Sequence, residues 1–296
     1  MKKTSIGGQA IYEGIMMRGP FKYSIAVRKE NGEIELKTQD YISRTQKNKI
    51  LAIPIIRGIT MLCESLSIGS KALEFSTSFY EDDNKKKKET SKIMKVLGML
   101  TSFFIVLLLF FIIPTLLASI FKKITENSIV LNLIEGFIRI FIFLSYLILI
   151  SKVEDMRRFF MYHGAEHKSI FCYENGEELT IENVRKYSPY LPRCGTSFLF
   201  SAMMISIIIL SFFGFPNPVV RILIRILFLP LIVGISYELN KFIGARNSKC
   251  LNILAKPGLF IQKIATVKEP DDKMIEVAIV ALKEVIPEDE SADIWR

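Results

Sequence analysis

Val96-Leu-Gly-Met-Leu-Thr-Ser-Phe-Phe-Ile-Val-Leu-Leu-Leu-Phe-Phe-Ile-Ile-Pro-Thr-Leu-Leu-Ala-Ser-Ile-Phe121 runs for 26 residues without a charge. A helix needs roughly 20 apolar residues to cross the hydrocarbon core of a bilayer, so this stretch reads as a membrane span, with Pro114 as its natural kink. Downstream, Ile129 to Ile150 reads as a second span. It is interrupted by Glu135 and Arg139, which stand at i and i+4, pair on one helical face and turn toward the bundle interior. Ser197 to Phe215 forms a third, and the breaker Pro216-Asn217-Pro218 turns the chain into a fourth, Val219 to Leu239, which carries Arg221, Arg225 and Glu238.

The whole chain agrees with that reading. Half of its 296 residues are hydrophobic, and the mean hydropathy is +0.32. The formal charge of +9 would suit nucleic acid, but much of the basic excess flanks the apolar runs, where Lys and Arg set topology and meet anionic headgroups. The expected partner is therefore the lipid bilayer, with no nucleic acid. The N-terminus lacks the apolar core and small-residue cleavage site of a secretory signal, so none is expected. The four cysteines form no CxxC pair, which argues against a disulfide framework and for free thiols.

The predicted fold class is an α-helical polytopic membrane protein with about four transmembrane helices, an amphipathic helix, and a small α+β cytoplasmic domain. Residues 1–49 form a polar segment in which Asn31-Gly32 marks the turn of a β-hairpin. Residues 50–80 form an amphipathic helix with Arg57, Glu64 and Lys71 on one stripe; its expected place is the membrane interface, with entry into the bilayer as the alternative. Residues 81–95 are a charged linker, 96–151 the first two spans, 152–196 a loop, 197–239 the last two spans, and 240–296 a tail. In the tail, Pro270-Asp271-Asp272 starts a helix whose Ile275, Ala278, Ile279 and Leu282 repeat at helical spacing. By the distribution of Lys and Arg, both termini and the 152–196 loop face the cytoplasm of a multi-pass inner-membrane protein. The N-terminal hairpin, the loop and the tail then assemble on one side.

The chain's two histidines both stand in Tyr162-His163-Gly164-Ala165-Glu166-His167-Lys168, one helical turn apart, where their rings can converge on one ion. The order H-x-x-E-H is also that of a class of zinc metalloproteases, in which the Glu is the general base. The expectation drawn here is the broader one: a divalent metal, zinc by donor chemistry, with Glu166 as acid or base. Cys194 in Pro192-Arg193-Cys194-Gly195-Thr196-Ser197 is the candidate third ligand. Its competing role is the small-residue entry to the third span. Glu154, Asp155 and Glu238 are alternative acids for the site, and each also has an ordinary ion-pair role, with Arg157, Arg158 or Lys241 as partner. The glycine-dense Gly7 to Pro20 segment holds Glu13 and Arg18. It could cradle a ligand or pack over the histidines, or its two charges could simply pair.

Taken together, Gly7-Gly-Gln-Ala-Ile-Tyr-Glu-Gly-Ile-Met-Met-Arg-Gly-Pro20, Tyr162-His-Gly-Ala-Glu-His-Lys168, Arg193-Cys-Gly-Thr-Ser-Phe198 and Glu269-Pro-Asp-Asp272 resemble the signature blocks of the bacterial YqhQ family of membrane proteins. The resemblance implies a metal-dependent enzyme without an assigned reaction. It places His163, Glu166, His167, Arg193, Cys194, Glu13 and Arg18 in signature blocks. The family pattern often has a histidine shortly before the Arg-Cys-Gly-Thr block, where this chain has Tyr190-Leu191-Pro192. The functional expectation is a metal-dependent, hydrolase-like membrane enzyme acting on a lipid-linked or peptide substrate. The alternative is a non-enzymatic membrane scaffold or transport-related protein.

Overall fold

The structure, a computed structural model, describes residues 3–80, 92–246 and 249–295; most of the charged linker, including Lys85 to Lys88, lies outside the described residues. The chain is mostly helical, with one four-stranded sheet.

Strands β1 (Gly7–Ile11), β2 (Gly14–Arg18), β3 (Lys22–Arg28) and β4 (Ile34–Asp40) form an antiparallel meander in the order β1-β2-β3-β4. The Asn31-Gly32 turn joins β3 to β4, with Gly32 at φ 90°, a left-handed angle that glycine adopts without steric cost. The glycine-dense segment is itself a hairpin, turned at Tyr12-Glu13 with Glu13 at φ 48°. In β2 the side-chain alternation serves two layers at once. Ile15 and Met17 face one hydrophobic core, and Met16 faces another.

Helix α1 (Ile56–Thr77) covers the second of these faces through Ile68 and Ala72. Two of the three charges of its stripe are paired within the protein. Glu64 is 5% exposed and bonds Arg18 Nη2 at 2.6 Å, Ser43 Oγ at 2.9 Å and the Arg44 amide at 2.7 Å. Arg57 pairs with Glu238, and Lys71 alone of the three is exposed. A carboxylate taken out of water needs such a full set of donors, and the end of β2 and the segment that follows β4 supply it.

Helices α2 (Lys92–Leu107) and α3 (Ile113–Ile120) are joined by a π-helical turn at Leu108–Ile112, just before Pro114. Helix α4 (Ser128–Ile150) returns alongside, and α5 (Glu154–Glu174) carries both histidines. Then come α6 (Gly195–Ser211), α7 (Pro218–Ala245), α8 (Lys249–Ile261) and α9 (Asp272–Val285). Among the described residues, three helical stretches are long and apolar enough to cross a membrane, namely Val96–Lys123, Ser128–Ile150 and Pro218–Ala245. The third span read from the sequence is shorter: α6 has 17 residues, a rise of about 26 Å, because the helix ends at Ser211 with Phe212 as its C-cap. The fourth runs past Leu239 to Ala245.

The tail helix α9 is capped by Asp271, whose side chain accepts from the Met274 amide at 2.8 Å. Its apolar face, including Ile275, Ala278 and Leu282, is covered by the sheet and by Tyr162 and Ala165 of α5. The sheet thus lies between α1 on one face and α5 with α9 on the other. This layering carries β1 across α5 at the level of the histidines.

Candidate metal centre

Residues 163, 166 and 167 share one side of α5 because i+3 and i+4 positions stack on a helix. The rings of His163 and His167 lie edge to face with centroids 4.4 Å apart. Two segments from elsewhere fix their orientation. The His163 Nδ1 lies 2.9 Å from the carbonyl of Thr266, in the π-helical turn Gln262–Thr266 that follows α8, and His167 Nδ1 lies 2.6 Å from the Pro189 carbonyl. A carbonyl only accepts, so each Nδ1 carries the proton and each Nε2 faces inward. This is how metal-binding histidines are ordinarily held. Gln262 locks the two segments together, its amide bonding both the N–H and the carbonyl of Leu191 at 3.0 and 2.8 Å.

Cys194 is the N-cap of α6 and accepts from the Thr196 amide at 3.4 Å. Its Sγ is 3.1 Å from His163 Nε2, and donor atoms of His163, His167 and Cys194 all lie within 4.8 Å of one another. Both roles considered for Cys194, helix entry and cluster member, coincide in one residue.

Glu166 is 4% exposed. Its Oε1 accepts the Gly8 amide of β1 at 2.9 Å, while its Oε2 is buried without a hydrogen-bond partner among the described residues. Gly8 has no room for a side chain: a Cβ there would sit 2.8 Å from the Met16 carbonyl and 3.0 Å from the Glu166 carboxyl carbon. Gly164 is equally confined, a Cβ lying 2.1 Å from the Lys268 carbonyl. Gly8, His163, Glu166, His167 and Cys194 line a cavity of about 90 Å³, together with Arg193 and Trp295.

The electrostatics are those of a coupled cluster. Burial alone disfavours the Cys194 thiolate, but His163 and His167 outweigh it and hold the thiol well below its usual range. Burial likewise opposes charge on His163, yet Cys194 and Glu166 lift its pKa to about 9. Glu166 is pushed up by burial, an effect that the two histidines offset in part. Without a metal, the cluster holds an imidazolium against a thiolate.

The other candidates stand apart from the centre. Glu13 pairs with Arg158 and accepts from Tyr162 Oη at 3.2 Å, while Arg18 pairs with Glu64, so the two do not pair with each other. Glu154 and Asp155 lie exposed in the first turn of α5 and do not join the cluster. Glu238 pairs with Arg57, not Lys241, and also stands outside it. Arg193 is structural in its contacts: it pairs with buried Glu174, donates to the Thr4 carbonyl at 3.0 Å and lies over the Trp295 ring. Thr4, Gly8, Glu174 and Trp295 were not marked as site residues by sequence reasoning; only the glycine density around Gly8 hinted at a close backbone approach.

An α-helical chain with three long apolar helices and a His₂Cys cluster beside a buried carboxylate is the class defined so far. The chain belongs to the family described as "Protein of unknown function (DUF1385)", which matches residues 53–288. It is 31% identical over 292 residues to a Bacillus subtilis protein described as "Uncharacterized protein YqhQ", covering 95% of this chain and 92% of that one. No solved structure matches the chain.

Proposed function

We propose that this is an integral membrane protein bearing a divalent metal centre, zinc by the chemistry of its donors, with hydrolase-like activity at the cytoplasmic membrane surface. One observation carries the reading: both histidines are held by backbone carbonyls, His163 Nε2 lies 3.1 Å from Cys194 Sγ with donor atoms of all three residues within 4.8 Å of one another, and the Glu166 Oε2 is unpaired among the described residues. A Cys-His nucleophile pair would need one histidine, whereas here two surround one sulfur. Three protein donors with a fourth position open is the pattern of catalytic zinc rather than structural zinc. A bound ion would supply Lewis-acid chemistry and lower the pKa of water. Glu166, kept desolvated and oriented by Gly8, would take and return the proton.

The cavity of about 90 Å³ admits a reacting group rather than a whole lipid headgroup or peptide. A lipid-linked or peptide substrate would therefore present one bond to it from the rim. The apolar helices support the membrane placement, and the Lys- and Arg-rich side of the sequence supports the cytoplasmic orientation. Cobalt(II) titration of the purified protein tests the centre: tetrahedral d–d bands with a sulfur charge-transfer band are expected, and Cys194→Ser should abolish the charge-transfer band. A featureless octahedral spectrum would reject the donor set.

The scaffold reading draws on a different observation, the ion cluster of Glu135 with three arginines that ties α4 to α7. It gives no role to the unpaired Glu166 Oε2.

A further inference from the structure

The far end of the helical bundle holds charge that the proposed metal centre does not use. Glu135 and Arg139 of α4 (3.2 Å) meet Arg221 and Arg225 of α7, and all four are buried. Three guanidinium groups on one carboxylate leave two positive charges unbalanced, a costly state inside an apolar bundle. Arg139 is satisfied by the Phe110 carbonyl at 3.0 Å and Ser206 Oγ at 3.2 Å. Arg221 Nη1 and Arg225 Nε, in contrast, have no hydrogen-bond partner among the described residues, and both arginines line a recess with Asn132, Leu210 and Gly214. The Asn132 amide is already committed to the carbonyls of Leu210 and Gly214. The other acid at that end, Glu126, is exposed, whereas Lys122 adds positive charge over the same Phe215 ring that Arg221 covers.

We propose that this recess binds a phosphate group, supplied either by the headgroup of an acidic phospholipid or as free phosphate. A phosphate oxygen answers the unpaired N–H donors, and its charge balances the cluster. The recess holds about 10 Å³, room for one oxygen-sized group, so the rest of the phosphate stays outside it. The lipid source rests on the membrane placement proposed above; the free-ion source does not, and neither depends on the metal centre.

Two arms test it on the full chain. In nanodiscs of equimolar phosphatidylglycerol and phosphatidylcholine, native mass spectrometry should show about fivefold enrichment of retained phosphatidylglycerol. In delipidated detergent, inorganic phosphate should raise the unfolding temperature by about 2–4 °C over chloride at equal ionic strength. Enrichment assigns the lipid, and stabilisation without enrichment assigns the free ion. Either effect should vanish in Arg221→Gln that elutes as the wild type does; Arg221→Lys, which keeps the charge but loses the fork, serves where the glutamine variant does not fold and should weaken the effect. Wild-type protein showing neither effect overturns the proposal, as does a folded Arg221 variant that responds as fully as the wild type.

Discussion

The amide of Gly8 donates to Glu166 Oε1 at 2.9 Å across 158 positions of sequence, so the first strand of the sheet holds the carboxylate of the proposed centre. Gly8→Ala should displace Glu166, because the new methyl group would lie 3.0 Å from its carboxyl carbon and 2.8 Å from the Met16 carbonyl. The expected cost is about 1–3 kcal/mol of stability, read by thermal unfolding, with metal content retained. Glu166→Gln should keep both folding and metal while abolishing function in a complementation assay; undiminished function there would remove Glu166 from any catalytic role.

Metal affinity should rise with pH. His163 is raised to about 9, so below that value the metal-free cluster holds a proton that an incoming ion must displace. Apparent affinity should then increase about tenfold per pH unit through neutrality and level off above about 9. Calorimetry in buffers of differing ionisation enthalpy should show about one proton released at pH 7; zero release would contradict the imidazolium–thiolate pair.

Arg193 and Glu174 form a buried pair, with side chains 7% and 2% exposed. Removing one partner strands the other, at about 3–5 kcal/mol. Arg193→Met should therefore lower the unfolding temperature sharply, and Glu174→Gln should cost less because an amide oxygen can still accept from the Thr4 amide. Equal and negligible effects would show that the pair is solvated.

Pro114 has no N–H to offer the Phe110 carbonyl one turn earlier, and Arg139 Nε donates to that carbonyl instead, at 3.0 Å. Arg139→Leu should thus reduce the amount of protein in the membrane by stranding the Phe110 carbonyl, while Glu135 keeps Arg221 and Arg225 as partners. Adding Pro114→Ala should recover part of the loss, a non-additivity measurable in a double-mutant cycle.

The apolar helices were legible because a long uninterrupted run such as Val96–Phe121 carries its own signal, and Asn31-Gly32 marked its hairpin for the same local reason. The site was legible in so far as the chain's two histidines fall one helical turn apart. Partners distant in sequence were not. Glu13 and Arg18 look like a local pair, yet the strand between them points their side chains to different neighbours, Arg158 and Glu64. The stripe Arg57, Glu64, Lys71 suggested an interfacial helix, because periodicity places charges on a face without saying what covers it; here Glu238 of α7 and Arg18 of β2 pair with two of the three. Gly7 to Pro20 hid two strands because glycine has low strand propensity, and its value at Gly8 lies in contact with a helix not yet known to be there.

Elemental mass spectrometry of the purified, detergent-solubilised chain, beside a His163→Ala, His167→Ala variant handled identically, tests the central claim most directly. Near-stoichiometric zinc, or another transition metal, in the wild type and its loss in the variant is the expected result; a wild type without metal, or a variant that keeps it, would contradict the proposed centre.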